Sequence, residues 1–238
     1  MLKNFVNRIV ELAAPTTYVI DGHTYASENL ERIDPPKYKP IPIDVTGLDS
    51  ICKLVRNEAN AVGRKIFIQI ERFNKVSVFS TYDEEFERSY LYRCLADTPQ
   101  VKVNSFMPYE KAVIELRSLY IPNDDNIYLL KLLGSITSES KVTSADNGVT
   151  QTVEAKSGIA LQQNVQVKPR VSLKPFRTFI EVDQPESEFL LRISGNGEIG
   201  LYEADGGVWK LEATRNVAAY FEKELKDLID TGDVVVIR

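Results

Sequence analysis

A long run of alternating polar and apolar residues over 146–193 constrains the fold of this chain more than any other feature of its sequence. In the clearest part of the run, the apolar residues all have odd numbers: Ile159, Leu161, Val165, Val167, Val171 and Leu173. A period of two is typical of half-buried β-strands. Ser157-Gly158 indicates a turn, while Pro169 and Pro175 cannot donate backbone hydrogen bonds and should interrupt the strands. We therefore expect an antiparallel meander with breaks at these positions.

The segments after this meander predict more strands and a closing helix. Residues 178–182 alternate and are a predicted strand. The Asp-Gly-Gly sequence at 205–207 predicts a hairpin turn with a return strand at 208–212. Thr214 is expected to cap the closing helix. The final segment, 234–237, is apolar throughout, which predicts a strand covered on both faces by this chain or by a partner.

The first residues of the chain predict an amphipathic helix followed by an extended arm. The apolar residues of the helix recur at helical spacing: Leu2, Phe5, Ile9 and Leu12. The arm, 15–42, is rich in proline. It is either a surface loop or a segment that wraps a neighbouring subunit.

The region after the arm predicts a small α/β layer. Thr46 and Asp49 have the spacing of a capping box at the start of a helix that ends before Gly63. Residues 66–70 and 76–80 then predict a hairpin, with a third strand after it and two helices beyond residue 107.

These elements together predict an α+β fold. Its C-terminal half is rich in antiparallel β-meander and packs with a C-terminal helix, while a smaller α/β layer forms the N-terminal part. The expected segments are a helix with a proline-rich arm at 1–45, the α/β layer at 46–134, and the β-rich half at 135–238.

Composition and charge narrow the class of protein. The net charge of -5 at pH 7 gives no support to a sequence-independent grip on phosphate backbones. Cys52 and Cys94 are the only cysteines and are far apart, so a disulfide framework or a zinc site is not predicted and a reducing cytoplasm is favoured. No run approaches the roughly 20 apolar residues of a membrane span, and no signal peptide is indicated.

The residues that chemistry would need are sparse. We find no cofactor loop, no metal cluster and no nucleophile with a base, and His23 is the only histidine. Asp146, Glu154 and Lys156 match the spacing of a magnesium-dependent nuclease, in which carboxylates hold the metal and a lysine steadies the nucleophile. Glu154 and Lys156 also share the polar face of a predicted strand, where charged side chains are ordinarily solvated. We predict no cofactor, and an enzyme is the less favoured class.

A basic group offers a second candidate site, for nucleic acid or a nucleotide. It consists of Lys168, Arg170, Lys174 and Arg177, with Phe176 and Phe179 beside it. Four acidic residues follow within 181–188, and opposite charges on adjacent strands pair across a ladder. Trp209, the only tryptophan, is predicted to be a core anchor.

Four segments of the chain resemble the YfdQ-like phage and prophage proteins. They are Asp146-Asn147-Gly148-Val149-Thr150-Gln151, Val171-Ser172-Leu173-Lys174-Pro175-Phe176-Arg177-Thr178-Phe179, Gln184-Pro185 with Phe189-Leu190-Leu191-Arg192, and Glu203-Ala204-Asp205-Gly206-Gly207-Val208-Trp209-Lys210-Leu211-Glu212-Ala213. The resemblance extends over 46–228 and is most specific in its second half. It implies a bacteriophage origin and residence in the host cytoplasm, and it brings no catalytic motif.

Three hypotheses follow. The leading one is a non-enzymatic phage accessory protein that self-associates through its β-rich half and binds a host or phage macromolecule, in a role such as counter-defence or DNA metabolism. The second is a metal-dependent nuclease that uses Asp146, Glu154 and Lys156. The third is a nucleic-acid or nucleotide binder that uses Lys168, Arg170, Lys174 and Arg177.

Overall fold

The structure is a computed structural model of the chain. It describes residues 2–13, 16–20, 23–26, 40–83, 86–135, 142–144, 151–157, 161–194 and 198–238, with the backbone alone at 10–13, 23–24, 142–144, 151–157 and 161–165. The chain divides into two compact units, Met1–Lys39 and Pro40–Arg238, and each is described by itself.

The described residues of the first unit form one helix and one hairpin. The predicted N-terminal helix is confirmed as α1 (Leu2–Ala13). Within the predicted arm, β1 (Thr17–Ile20) and β2 (His23–Ala26) pair antiparallel with Thr17 opposite Ala26. Residues 27–39 of that arm lie outside the described part of the chain.

The second unit contains the remaining elements. In chain order these are β3 (Ile43–Val45), α2 (Leu48–Val62), β4 (Ile66–Arg72), β5 (Lys75–Ser80), β6 (Tyr90–Leu95), β7 (Phe106–Met107), α3 (Tyr109–Ser118), β8 (Tyr120–Ile121), α4 (Asp124–Ser135), β9 (Val142–Ser144), β10 (Gln151–Ser157), β11 (Leu161–Val167), β12 (Arg170–Pro175), β13 (Ser187–Ile193), β14 (Ile199–Glu203), α5 (Trp209–Glu224), α6 (Lys226–Asp230) and β15 (Val234–Ile237).

Two five-stranded sheets form the body of this unit. The first sheet has the order β15-β4-β5-β6-β3, and both of its edge strands run parallel to their neighbours. The second has the order β7-β14-β13-β12-β8 and is antiparallel throughout. A separate three-stranded sheet, β11-β10-β9, confirms the hairpin predicted around Ser157. The predicted α+β class is confirmed, with sheets that are mostly antiparallel.

Each five-stranded sheet has its own core. On one face of the first sheet, α2 and α5 bury apolar side chains such as Val55 and Phe221 against Ile68 and Val78. On one face of the second sheet, α3 and α4 do the same against β12, β13 and β14. The first core combines residues from both sides of position 134, because the C-terminal helix and strand pack on the N-terminal sheet. Sequence periodicity cannot reveal this pairing of distant segments.

The predicted capping box at Thr46 and Asp49 is wrong. The residue before α2 is Gly47, and no side chain of its own segment caps the helix. Instead, the backbone N–H of Leu48 donates to Oε1 of Glu181 at 2.7 Å. A carboxylate from a distant segment replaces the local cap because it satisfies the same unpaired N–H at the helix start.

The strand predicted at 178–182 is also wrong, because this segment is a turn. The buried side chain of Gln184 accepts hydrogen bonds from the backbone N–H groups of Arg177 and Thr178, at 2.9 and 3.1 Å, and donates to the carbonyl of Phe179 at 2.9 Å. This amide therefore supplies the partners that a neighbouring strand would supply. The turn exposes Ile180 and buries Phe179 in the first core.

The return strand predicted at 208–212 and the helix cap at Thr214 are wrong as well. Helix α5 already begins at Trp209, and Thr214 lies inside it. Gly206 and Gly207 have φ values of 64° and 83°, so they form a turn that leads into a helix rather than into a strand. The reason is a period of four that the hairpin interpretation overlooked: Trp209, Ala213, Val217 and Phe221 are all buried.

Candidate functional site

The two most distinctive segments of the sequence meet around Arg177. Strand β12 ends at Pro175, and Arg177 then reaches the end of β14 and the start of α5. Its Nη1 lies 2.6 Å from Oε1 of Glu203, its Nη2 donates to the Ser187 hydroxyl, and its Cζ lies 3.9 Å from the centre of the Trp209 ring. The side chain of Arg177 is only 9% exposed. The structure therefore pairs this buried arginine with Glu203.

Carboxylates and hydrogen bonds around Arg177 oppose the effect of burial on the pKa values of Arg177 and Asp205. Burial lowers the pKa of Arg177, while the carboxylates of Glu203 and Asp205 oppose that shift. Burial alone would raise the pKa of Asp205. Hydrogen bonds from the Gly207 N–H, the Ser187 hydroxyl and the Trp209 N–H, together with the charge on Arg177, outweigh burial and hold this pKa below its ordinary value.

The Arg177 cluster joins the two sheets. Trp209 packs edge-on against Phe73, in the turn between β4 and β5, with ring centres 4.8 Å apart. The Thr178 hydroxyl also donates to the carbonyl of Phe73. Among the described residues, Nε of Arg177, Nε1 of Trp209 and Oη of Tyr120 are buried without a hydrogen-bond partner. The contacts give this cluster the character of a structural joint.

The predicted basic group is largely paired with carboxylates. Nζ of Lys168 lies 2.9 Å from Oδ1 of Asp125, and Nη1 of Arg170 lies 2.8 Å from Oε2 of Glu188. Lys174 is half-buried at the end of β12, beside β8. Since Arg177 is buried against Glu203, the four residues do not present four free cations to a ligand.

The predicted nuclease residues fall largely outside what the structure describes. Asp146 is not described, and only the backbone of Glu154 and Lys156 is, within β10. His23 lies in β2, again with its side chain outside the described part. Among the residues whose side chains are described, no group of three His, Cys, Asp or Glu residues is arranged to hold a metal ion. The nuclease hypothesis stays a prediction.

Both cysteines are buried free thiols in the first core. Burial raises the pKa of Cys52 and of Cys94 to about 12. Nearby carboxylates contribute to these raised pKa values, since they disfavour a second negative charge. Neither thiol is therefore a nucleophile near neutral pH.

The first unit exposes large apolar side chains. On α1, Leu2 is 79%, Phe5 64% and Ile9 50% exposed. The sequence showed their helical spacing, and the structure adds that the side chains remain uncovered. Val19 and Ile20 in the hairpin are exposed as well.

One face of the first sheet carries an aromatic surface that the sequence analysis missed. The rings of Phe67 and Phe79 stack with centres 5.6 Å apart, and Tyr90 lies 5.5 Å from Phe79. The guanidinium of Arg88 lies over the rings of Phe67 and Phe79. It also lies over the ring of Tyr82, with Cζ 4.1 Å from the ring centre. A cavity of about 650 Å³ adjoins Arg93 on the same face. The sequence signal was the position of Phe67 and Phe79, opposite in parity to the core positions of β4 and β5.

Comparison with known proteins finds no relative of this chain. No family model, no curated protein and no solved structure matches it. Among the helices that the structure describes, none has the length and apolar character needed to cross a bilayer.

Proposed function

We propose that this chain is a non-enzymatic phage accessory protein that self-associates and acts by binding a host or phage macromolecule in the host cytoplasm. The observation that carries the proposal is the exposed apolar side of α1. The phage assignment is supported by the resemblance of the four segments described above, which include Arg177, Glu203 and Trp209 of the Arg177 cluster.

The spacing on α1 favours a second copy of the chain as its partner. Leu2, Phe5, Ile9 and Leu12 follow the alternating three- and four-residue steps of a coiled-coil seam. Such a seam is self-complementary, because each apolar residue fits between residues of the same kind on the facing helix.

The length of α1 points the same way. A 12-residue helix is marginal in water by itself, and most helices of this size are stabilised by packing of their apolar side. The exposed residues of the adjoining hairpin add to the surface that a second copy can cover. The sequence alone placed self-association in the β-rich half, whereas the exposed side chains favour the N-terminal unit.

Light scattering coupled to size exclusion tests this proposal on the full chain. The wild type is expected to have the mass of an oligomer. Phe5→Asp with Ile9→Asp should shift it to a monomer, because charges would be buried at the seam. The matched control, Asn4→Asp with Asn7→Asp, adds the same charge at other exposed positions of α1 and should leave the oligomer intact. A wild-type monomer at micromolar concentration would refute self-association.

A further inference from the structure

We propose that the open face of the first sheet binds single-stranded nucleic acid, with bases stacked on Tyr82 and Tyr90 and phosphates held by Arg88 and Arg93. This face lies opposite the side of the sheet that packs on α2 and α5. Its binding role deepens the function proposed above by naming the class of macromolecule, and it rests on the binding part of that proposal alone.

The aromatic side chains of this face are available to a ligand. Tyr82 and Tyr90 are each about half exposed, at 53% and 50%, and Phe86 between them is 82% exposed. Phe67 and Phe79 lie beneath Arg88, and Phe79 also packs against Tyr90. Exposed rings on a sheet are the platform on which single-stranded nucleic acids stack, because every base offers a flat face.

The arginines of this face retain hydrogen-bond donors for phosphate. The one hydrogen bond that Arg88 donates among the described residues is a long one, 3.5 Å, to the carbonyl of Ser80. No described carboxylate forms an ion pair with Arg88 or with Arg93. A guanidinium that stacks on rings and keeps free N–H groups is suited to hold a phosphate beside a stacked base.

This arrangement contrasts with the basic group on the second sheet. There, Lys168, Arg170 and Arg177 already have carboxylate partners, so a phosphate would have to displace them. On the open face, Arg88 and Arg93 are separated by five residues along β6 and its approach, about 16 Å of extended chain. The two cations can therefore contact phosphates of one strand that are about two to three nucleotides apart.

Acidic residues border the face and set its limits. Asp83 and Glu87 belong to the turn that carries Phe86, where the Glu87 N–H donates to Oδ1 of Asp83 at 2.9 Å. Their charges repel phosphates from that side of the face, and Asp44, which lies opposite Arg93 in the ladder, does so at the other end. With two phosphate contacts, affinity for a single strand is expected to fall about sevenfold between about 50 and about 200 mM salt.

Fluorescence anisotropy of the full-length protein with a labelled oligo-dT tests the proposal. The oligonucleotide should be longer than the ~4–16 nucleotides that comparable surfaces cover. Arg88→Ala with Arg93→Ala should weaken binding at least about tenfold and remove most of the salt dependence. Tyr90→Leu should weaken binding about tenfold by removing one stacking ring. Arg88→Lys keeps the positive charge but loses the planar guanidinium that stacks on the rings. Its affinity should therefore lie between those of the wild type and the double alanine variant.

Two matched controls localise the effect. Arg170→Ala with Lys174→Ala removes two cations from the second sheet, and Phe106→Leu removes an exposed ring there. Both should bind like the wild type, and circular dichroism should show every variant folded. Loss of binding in the Arg170 and Lys174 variant, or no binding by the wild type at low salt, would overturn the proposal.

Light scattering on the same samples separates the two proposals. An oligomer that binds no oligonucleotide would overturn nucleic-acid binding and leave self-association intact. A monomer that binds through Arg88 and Arg93 would refute self-association and support this face as the binding site.

Discussion

At the scale of single residues, Arg177 shows how one buried cation can connect distant parts of a chain. It contacts Glu203, Ser187 and Trp209, which belong to three different elements. Burying a guanidinium is unfavourable unless it is paired and hydrogen-bonded, and these contacts supply both. Arg170 forms an ion pair of similar length with Glu188, yet both partners are exposed. An arginine–glutamate ion pair should therefore contribute much more to the free energy of unfolding at Arg177 than at Arg170.

Arg177→Ala is expected to lower the free energy of unfolding by about 3 kcal/mol, because Glu203 loses its partner and a space opens over Trp209. Arg170→Ala, the matched exposed control, should cost less than about 1 kcal/mol. Urea unfolding followed by tryptophan fluorescence measures both, since Trp209 is the only tryptophan. Equal losses in the two variants would contradict a joint built on burial.

At the scale of elements, helix α2 depends on a cap from outside its own sequence. Glu181 belongs to the turn after β12, and its carboxylate occupies the place next to Gly47. A Cβ atom on residue 47 would lie 2.8 Å from Oε1 of Glu181. The glycine is therefore needed for the space it leaves, since its φ of -117° is open to any residue.

A double-mutant cycle tests this dependence. Glu181→Ala is expected to cost about 1 kcal/mol, the usual value of a helix cap. Gly47→Ala should cost a similar amount in the wild type, because it displaces the carboxylate, and much less in the Glu181→Ala background. Thermal unfolding of the four proteins provides the measurement. Additive losses would show that Gly47 acts independently of the cap.

At the scale of the whole molecule, the two ends of the second unit share one core. Strand β15 pairs with β4, and α5 covers the sheet that the N-terminal strands form.

Two carboxylates, those of Asp125 and Glu71, stabilise the fold through hydrogen bonds that lower their pKa values. The pKa of Asp125 is held low: burial raises it, but the Ser172 N–H and Lys168 outweigh that effect. The pKa of Glu71 is lowered by hydrogen bonds from Lys75 and Ser77.

These shifts predict the acid stability of the molecule. A carboxyl with a folded pKa below its unfolded value stabilises the fold above the unfolded pKa, near 3.8 for Asp125, and loses this effect as the pH falls through the folded pKa. The free energy of unfolding should thus decline below about pH 4. Asp125→Asn should lose about 1 kcal/mol at neutral pH, and its difference from the wild type should narrow in acid. The adjacent exposed Asp124→Asn is the control, and an equal effect there would contradict this origin.

The sequence by itself determined most of the local elements. Alternation predicted the strands β10 to β13 within 146–193, Pro169 predicted the break between β11 and β12, and Gly63 marked the end of α2. These features follow from backbone geometry and from periodicity, which neighbouring residues carry.

The tertiary structure alone decided which distant segments meet. It replaced the local cap at Thr46 with Glu181, turned the predicted strand at 178–182 around Gln184, and extended α5 back to Trp209. It also placed the rings of Phe67 on β4 and Phe79 on β5 together beneath Arg88, on the candidate binding face. The physical reason is that burial and hydrogen-bond satisfaction act between segments far apart in sequence, where periodicity carries no information.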